Sequence, residues 1–106
     1  MGGGTGASAT IEAVDFCCME WATDMIRQIQ MRWRSNQSER GETILRFTVQ
    51  RDGTITNVDF DKRSGSGILD RASLDALPAK LAQPLPREYP ENQLVIHLKF
   101  PYQARE

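Results

Sequence analysis

The run Thr43–Ile55, TILRFTVQRDGTI, constrains the chain more than any other stretch. Leu45, Phe47 and Val49 alternate with Arg46, Thr48 and Gln50, the period-two pattern of a strand with one buried face. Asp52-Gly53 supplies a tight turn, and Thr54–Lys62 reads as a second strand returning antiparallel to the first. A hairpin alone is marginal in water, so other elements must cover its apolar face. Helical stretches on either side and the late strand Leu94–Phe100 are the covers.

The second strand is out of phase with itself. Ile55 is odd-numbered whereas Val58 and Phe60 are even, so a regular strand cannot put all three on one face. A bulge near Thr56-Asn57 restores the phase; otherwise Ile55 belongs to the turn.

A helix is predicted from Asp15, its N-cap, to Arg34, with Cys18, Ala22, Met25, Ile26, Ile29 and Trp33 forming one apolar stripe. Trp21 and Trp33 are read as core edges. A shorter helix covers Ile68–Leu77, with Ser66 as its cap and Asp70 in its first turn, where a negative charge suits the dipole. Its face of Leu69, Ala72, Ser73 and Ala76 is small enough for close packing, and Pro78 stops it. The Pro-rich run Gln83–Pro90 is expected to be an ordered, extended connector.

In Gln93–Tyr102, Leu94, Ile96, Leu98 and Phe100 face in, while Val95, His97 and Lys99 face out. Pro101 cannot donate to a ladder, which predicts that this strand lies at a sheet edge. The predicted order is α-β-β-α-β, with the first strand between the other two and antiparallel to both. The Gly-rich start MGGGTGASAT is set aside: residues 1–14 read as a flexible linker or cloning remnant, and 15–106 as the domain.

Composition removes several classes of function. A chain of 106 residues, 40% hydrophobic, builds one core. A net charge of −1 with dispersed basic residues leaves no stripe to track phosphates, so no nucleic-acid partner is expected. No apolar run is long enough to span a bilayer, and no signal-peptide pattern is present. His97, the single histidine, points to the outer strand face away from any nucleophile, so no catalytic residue is expected. Asp59 and Asp61 look like a solvated strand face, and no metal or cofactor is expected. Cys17 and Cys18, taken as neighbours on a helix, point apart and are expected to be free thiols, with an intermolecular disulfide as the alternative.

Several segments together resemble the C-terminal domain of the TonB family of energy transducers. They are Ile29-x3-Trp33, LRFTVQRDGTITNVDFDKRSGS (Leu45–Ser66), LDRASLDAL (Leu69–Leu77), PLPREYP (Pro84–Pro90) and LVIHLKFPY (Leu94–Tyr102). The resemblance implies an α+β fold, a three-stranded antiparallel sheet packed by two helices. It also implies a periplasmic domain, anchored in the inner membrane by a helix upstream and joined through it to a proton-driven motor. Its implied partner is the TonB-box peptide of outer-membrane transporters, added as a strand beside the last strand. On this chain the partner-binding residues would be Gln93, Val95, His97, Lys99 and Tyr102. The long first helix is closer to TolA, which implies an envelope-integrity domain with periplasmic or lipoprotein partners as the alternative. TolA-type domains carry cysteines in the first strand and second helix, and this chain has none there. A homodimer paired through the open edge strand or Cys17 is the remaining reading.

Overall fold

A computed structural model describes residues 7–13 and 16–102. The elements are β1 (Ser8–Ile11), α1 (Met19–Arg32), β2 (Gly41–Gln50), β3 (Ile55–Lys62), α2 (Gly67–Ala76) and β4 (Gln93–Tyr102). They form a four-stranded antiparallel sheet in the order β1-β4-β2-β3, with α1 and α2 contributing to the core on one face. The architecture is α+β as expected, but with four strands in the order β-α-β-β-α-β rather than three. The extra strand comes from the stretch read as a linker. Ala7, Ala9, Ile11 and Ala13 pack against the core while Ser8, Thr10 and Glu12 are exposed, so the segment has the alternation a strand requires.

β2 lies between β3 and β4, as predicted. Leu45, Phe47 and Val49 are fully buried, together with Ile96, Leu98 and Phe100 of β4. On α1, Trp21, Ala22, Met25 and Ile29 complete this core; Cys18, Ile26 and Trp33 lie at its margin. The helix is shorter than predicted, running from Met19 to Arg32, and the N-cap assigned to Asp15 lies outside the described residues. Cys18 precedes the helix, and its carbonyl accepts from the amides of Trp21 and Ala22 at 3.0 and 3.3 Å.

The predicted bulge is present. Arg46 pairs with Asp59 but Thr48 pairs with Thr56, so Asn57 and Val58 together oppose Phe47. Asn57 takes φ 52°, a left-handed conformation that asparagine tolerates better than branched residues do. A second shift, between Ile44 and Leu45, was not expected. Between them the shifts let Ile55 and Phe60 pack on the core and turn Val58 outward, 41% exposed.

The turn and the connector hold each other. Gly53, at φ 95°, lies so close to the connector that a Cβ would sit 3.1 Å from the Leu81 carbonyl oxygen. Arg51 donates to the carbonyls of Pro86 (2.8 Å), Tyr89 (2.7 Å) and Glu91, which orders the Pro-rich run. Ser66 caps α2 by accepting from the Leu69 amide at 3.4 Å, and the helix ends before Pro78. Asp70 is buried, at 8% exposure, rather than simply facing solvent at the first turn. Its Oδ1 accepts from the Thr43 hydroxyl, the Ser64 amide and the Ser64 hydroxyl, each at 2.9 Å.

Candidate partner-binding flank of the last strand

In an antiparallel strand the backbone N–H and C=O of alternate residues point to opposite neighbours. The Glu12 amide donates to the Val95 carbonyl at 3.0 Å, which sets the phase along β4. Val95, His97 and Lys99 therefore turn their main-chain groups toward β1, where Thr10 pairs with His97 and Ser8 with Lys99. Leu94, Ile96, Leu98 and Phe100 turn theirs toward β2. β4 is thus not an edge strand, contrary to the proline-based expectation. Pro101 lies past the Ser8–Lys99 pair, so its missing donor costs no bond to β1.

The predicted site residues divide. Val95, His97 and Lys99 share the outer face of the sheet. Gln93 is exposed at the start of β4, opposite Gln50, whose side-chain amide donates to it at 3.4 Å. Tyr102 does not belong with them. It is 2% exposed, and its hydroxyl bonds with the Ser73 hydroxyl (2.7 Å), the Trp33 indole N–H (2.8 Å) and the Leu69 carbonyl (3.2 Å). Burial pushes its pKa up, against the hydrogen bonds from Ser73 and Trp33. Tyr102 falls at an even position, in phase with Phe100, so the alternation already assigned it to the core.

His97 is the centre of the outer face. Its Nε2 meets the Glu12 carboxylate from beside β1, and its Nδ1 meets the Asp61 carboxylate from β3. These partners lie far apart in the sequence, and only the sheet register brings them together. Hydrogen bonding to Glu12, then to Asp61, raises the His97 pKa above its ordinary 6.5, outweighing partial burial. Asp61 is therefore a histidine partner, not simply a solvated carboxylate. Arg46, opposite His97 in register, lies 3.7 Å from Asp59. Lys99 lies 3.4 Å from Glu42, which also holds Lys62 at 2.9 Å. No group of ligands that could hold a metal occurs among the described residues.

The family model for the TonB C-terminal domain matches residues 19–101. The chain belongs to the TonB C-terminal family. The match opens at the first residue of α1 and closes within β4, so β1 and the cysteine pair lie outside it. No curated protein and no solved structure matches the chain significantly. Membership places the domain among those of TonB-like energy transducers, which are not enzymes.

Cys17 and Cys18 are bonded to each other, with their Cα atoms 3.7 Å apart, contrary to the expectation of free thiols. That expectation rested on helical geometry. Cys18 instead takes φ −133° and ψ 67° just before α1, and on this non-helical backbone the two sulfurs meet. Phe16 beside them stacks edge-on against Trp21 and Tyr89, at 6.1 and 5.6 Å between ring centroids, fixing the approach to α1.

Proposed function

We propose that this is the periplasmic domain of a TonB-like energy transducer, and that it binds a peptide of an outer-membrane transporter by strand addition to β4. Coupling to the inner-membrane motor would run through a segment upstream of the domain. One observation carries the reading: the flank of β4 formed by Val95, His97 and Lys99 already holds an added antiparallel strand, the chain's own β1. Main-chain bonds of this kind supply affinity for varied peptides, and side chains at alternate positions tune the choice.

The incoming peptide would replace β1 rather than extend the sheet beyond it. By alternation, only Ala9 and Ile11 of β1 turn main-chain groups outward, and the Ile11 carbonyl is already taken by the Ala13 amide at 2.9 Å. The flank of β4 offers three alternate residues, Val95, His97 and Lys99. β1 is tethered and competes at an effective concentration on the order of millimolar, so apparent affinity falls with the fraction of time it is docked.

The test is an amide chemical-shift titration of the labelled domain with TonB-box-like peptides. Shifts should concentrate on Val95, His97 and Lys99 and on Ser8–Ile11, which would be released, with β3 little affected. No response at millimolar peptide would overturn the reading and turn attention to the TolA-like alternative. Val95→Pro removes an amide from this flank and should weaken binding while the core stays folded. Unchanged affinity in that variant would mean the peptide docks elsewhere.

A further inference from the structure

β1 is a bound strand whose sequence is known, so it carries information about what this flank accepts. Glu12 is held twice. Its amide donates to the Val95 carbonyl, and its carboxylate meets Nε2 of His97. On the other side of the ring, Asp61 occupies Nδ1. The imidazole is thus aimed by a carboxylate from β3, and its remaining nitrogen faces the place where an added strand lies.

We infer that His97 selects strands on this flank by the charge of one side chain, and that the preferred partner peptide carries a carboxylate at the place of Glu12. This rests on the strand-exchange reading above. A protonated imidazole with Nδ1 donating to Asp61 presents Nε2–H as a second donor. A carboxylate accepts that hydrogen and neutralises the charge; a lysine or arginine at the same place has no acceptor and is repelled. Once the ring loses a proton and keeps Nδ1–H on Asp61, Nε2 becomes an acceptor, and a carboxylate is no longer favoured. Selection is therefore strongest below the pKa of His97 and fades above it. Other charges on this face have partners of their own: Arg46 with Asp59, and Lys99 and Lys62 with Glu42. The inward places of β1 hold Ala9 and Ile11, with Ala7 and Ala13 flanking it, so the partner is a strand with small, apolar alternate positions and an acid just after it.

The test uses the full chain carrying Glu12→Gln, which loosens β1 and leaves the receiving surface intact. Two blocked peptides are titrated in: a copy of residues 7–13, and the same copy with glutamine at the Glu12 place. The amides of Val95, His97 and Lys99 report binding. At about pH 6 the acidic peptide should bind roughly three- to five-fold more tightly, as expected of a partly exposed charge pair. At a higher pH, where the imidazole shifts show His97 to be neutral, the preference should vanish. His97→Gln in the same background should remove it at both values. Equal affinities at the lower pH would overturn carboxylate selection and leave strand exchange standing. Binding of neither peptide at millimolar concentration would overturn both.

Discussion

β2 holds its two neighbours in different ways. Against β4 it runs through ten consecutive pairs in one register, from Gly41 with Tyr102 to Gln50 with Gln93. Against β3 it shifts register twice within a similar length. A straight, regularly pleated strand presents an even row of donors and acceptors on its far side, which is a template for another strand. A bulged one bends and twists its far side away from any partner. The first residues of β3 are also capped from outside, where the Ile55 amide donates to the Ala79 carbonyl at 2.9 Å. The sheet therefore has one straight flank, where β1 pairs with β4, and one that is blunted.

The largest difference between these flanks should appear in truncation. Leu98 on the straight ladder is fully buried, and Leu98→Ala should cost roughly 2–5 kcal/mol of stability by urea unfolding. Val58 on the bulged strand is exposed, and Val58→Ala should stay within about 0.5 kcal/mol. Similar losses at both sites would mean that the bulge does not turn Val58 out of the core.

Asp70 fastens the end of β3 to β2 and α2, and its removal should rank next. Asp70→Ala leaves the Thr43 hydroxyl and the Ser64 amide without their acceptor and should cost about 1–3 kcal/mol. Asp70→Asn keeps an acceptor oxygen and should cost less. Burial alone would raise the Asp70 pKa, but the bonds from Ser64 and Thr43 prevail and hold it below its ordinary 3.8. Its contribution is thus fully present above pH 3.8 and lost as pH falls through the lowered folded value. Urea midpoints measured across that window should fall less steeply in Asp70→Asn than in the parent.

Asn57 tests the bulge itself. Asn57→Val places a branched side chain at φ 52° and should cost about 1–2 kcal/mol, whereas Asn57→Gly should be neutral or slightly stabilising. Equal effects of the two changes would show that the left-handed conformation is not required there.

Much of this was readable in the residues because apolar side chains of full size mark a period clearly. Leu45, Phe47 and Val49 announced β2, the alternation from Leu94 to Phe100 announced β4, and the broken phase from Ile55 to Phe60 announced the bulge. β1 was missed for the converse reason. Ala7, Ala9 and Ala13 alternate as regularly, but alanine adds little apolar contrast, and the glycines before them set the tone of the stretch. The His97 cluster had no local signal, since register alone brings Glu12 and Asp61 to it. Pro101 does not mark a sheet edge, because past the end of a four-residue partner strand a proline needs no open side.

The smallest expected effect concerns the cysteine pair that follows β1 in the chain. A disulfide stabilises chiefly by restricting the unfolded chain, and the restriction grows with the loop it closes. Between adjacent residues the loop is as short as it can be, so reduction should cost about 1 kcal/mol or less. The pair nevertheless sits between β1 and α1, and Phe16 next to it stacks on Trp21 and Tyr89. Urea unfolding with and without dithiothreitol measures the global effect, and amide hydrogen exchange at His97 and Lys99 measures how firmly β1 is docked. A small global change with unchanged exchange at His97 and Lys99 would mean that the ring contacts alone hold the connector. Faster exchange there, with stability nearly constant, would mean that the disulfide keeps β1 on β4 without strengthening the core. The two flanks of the sheet would then differ in what controls them as well as in shape.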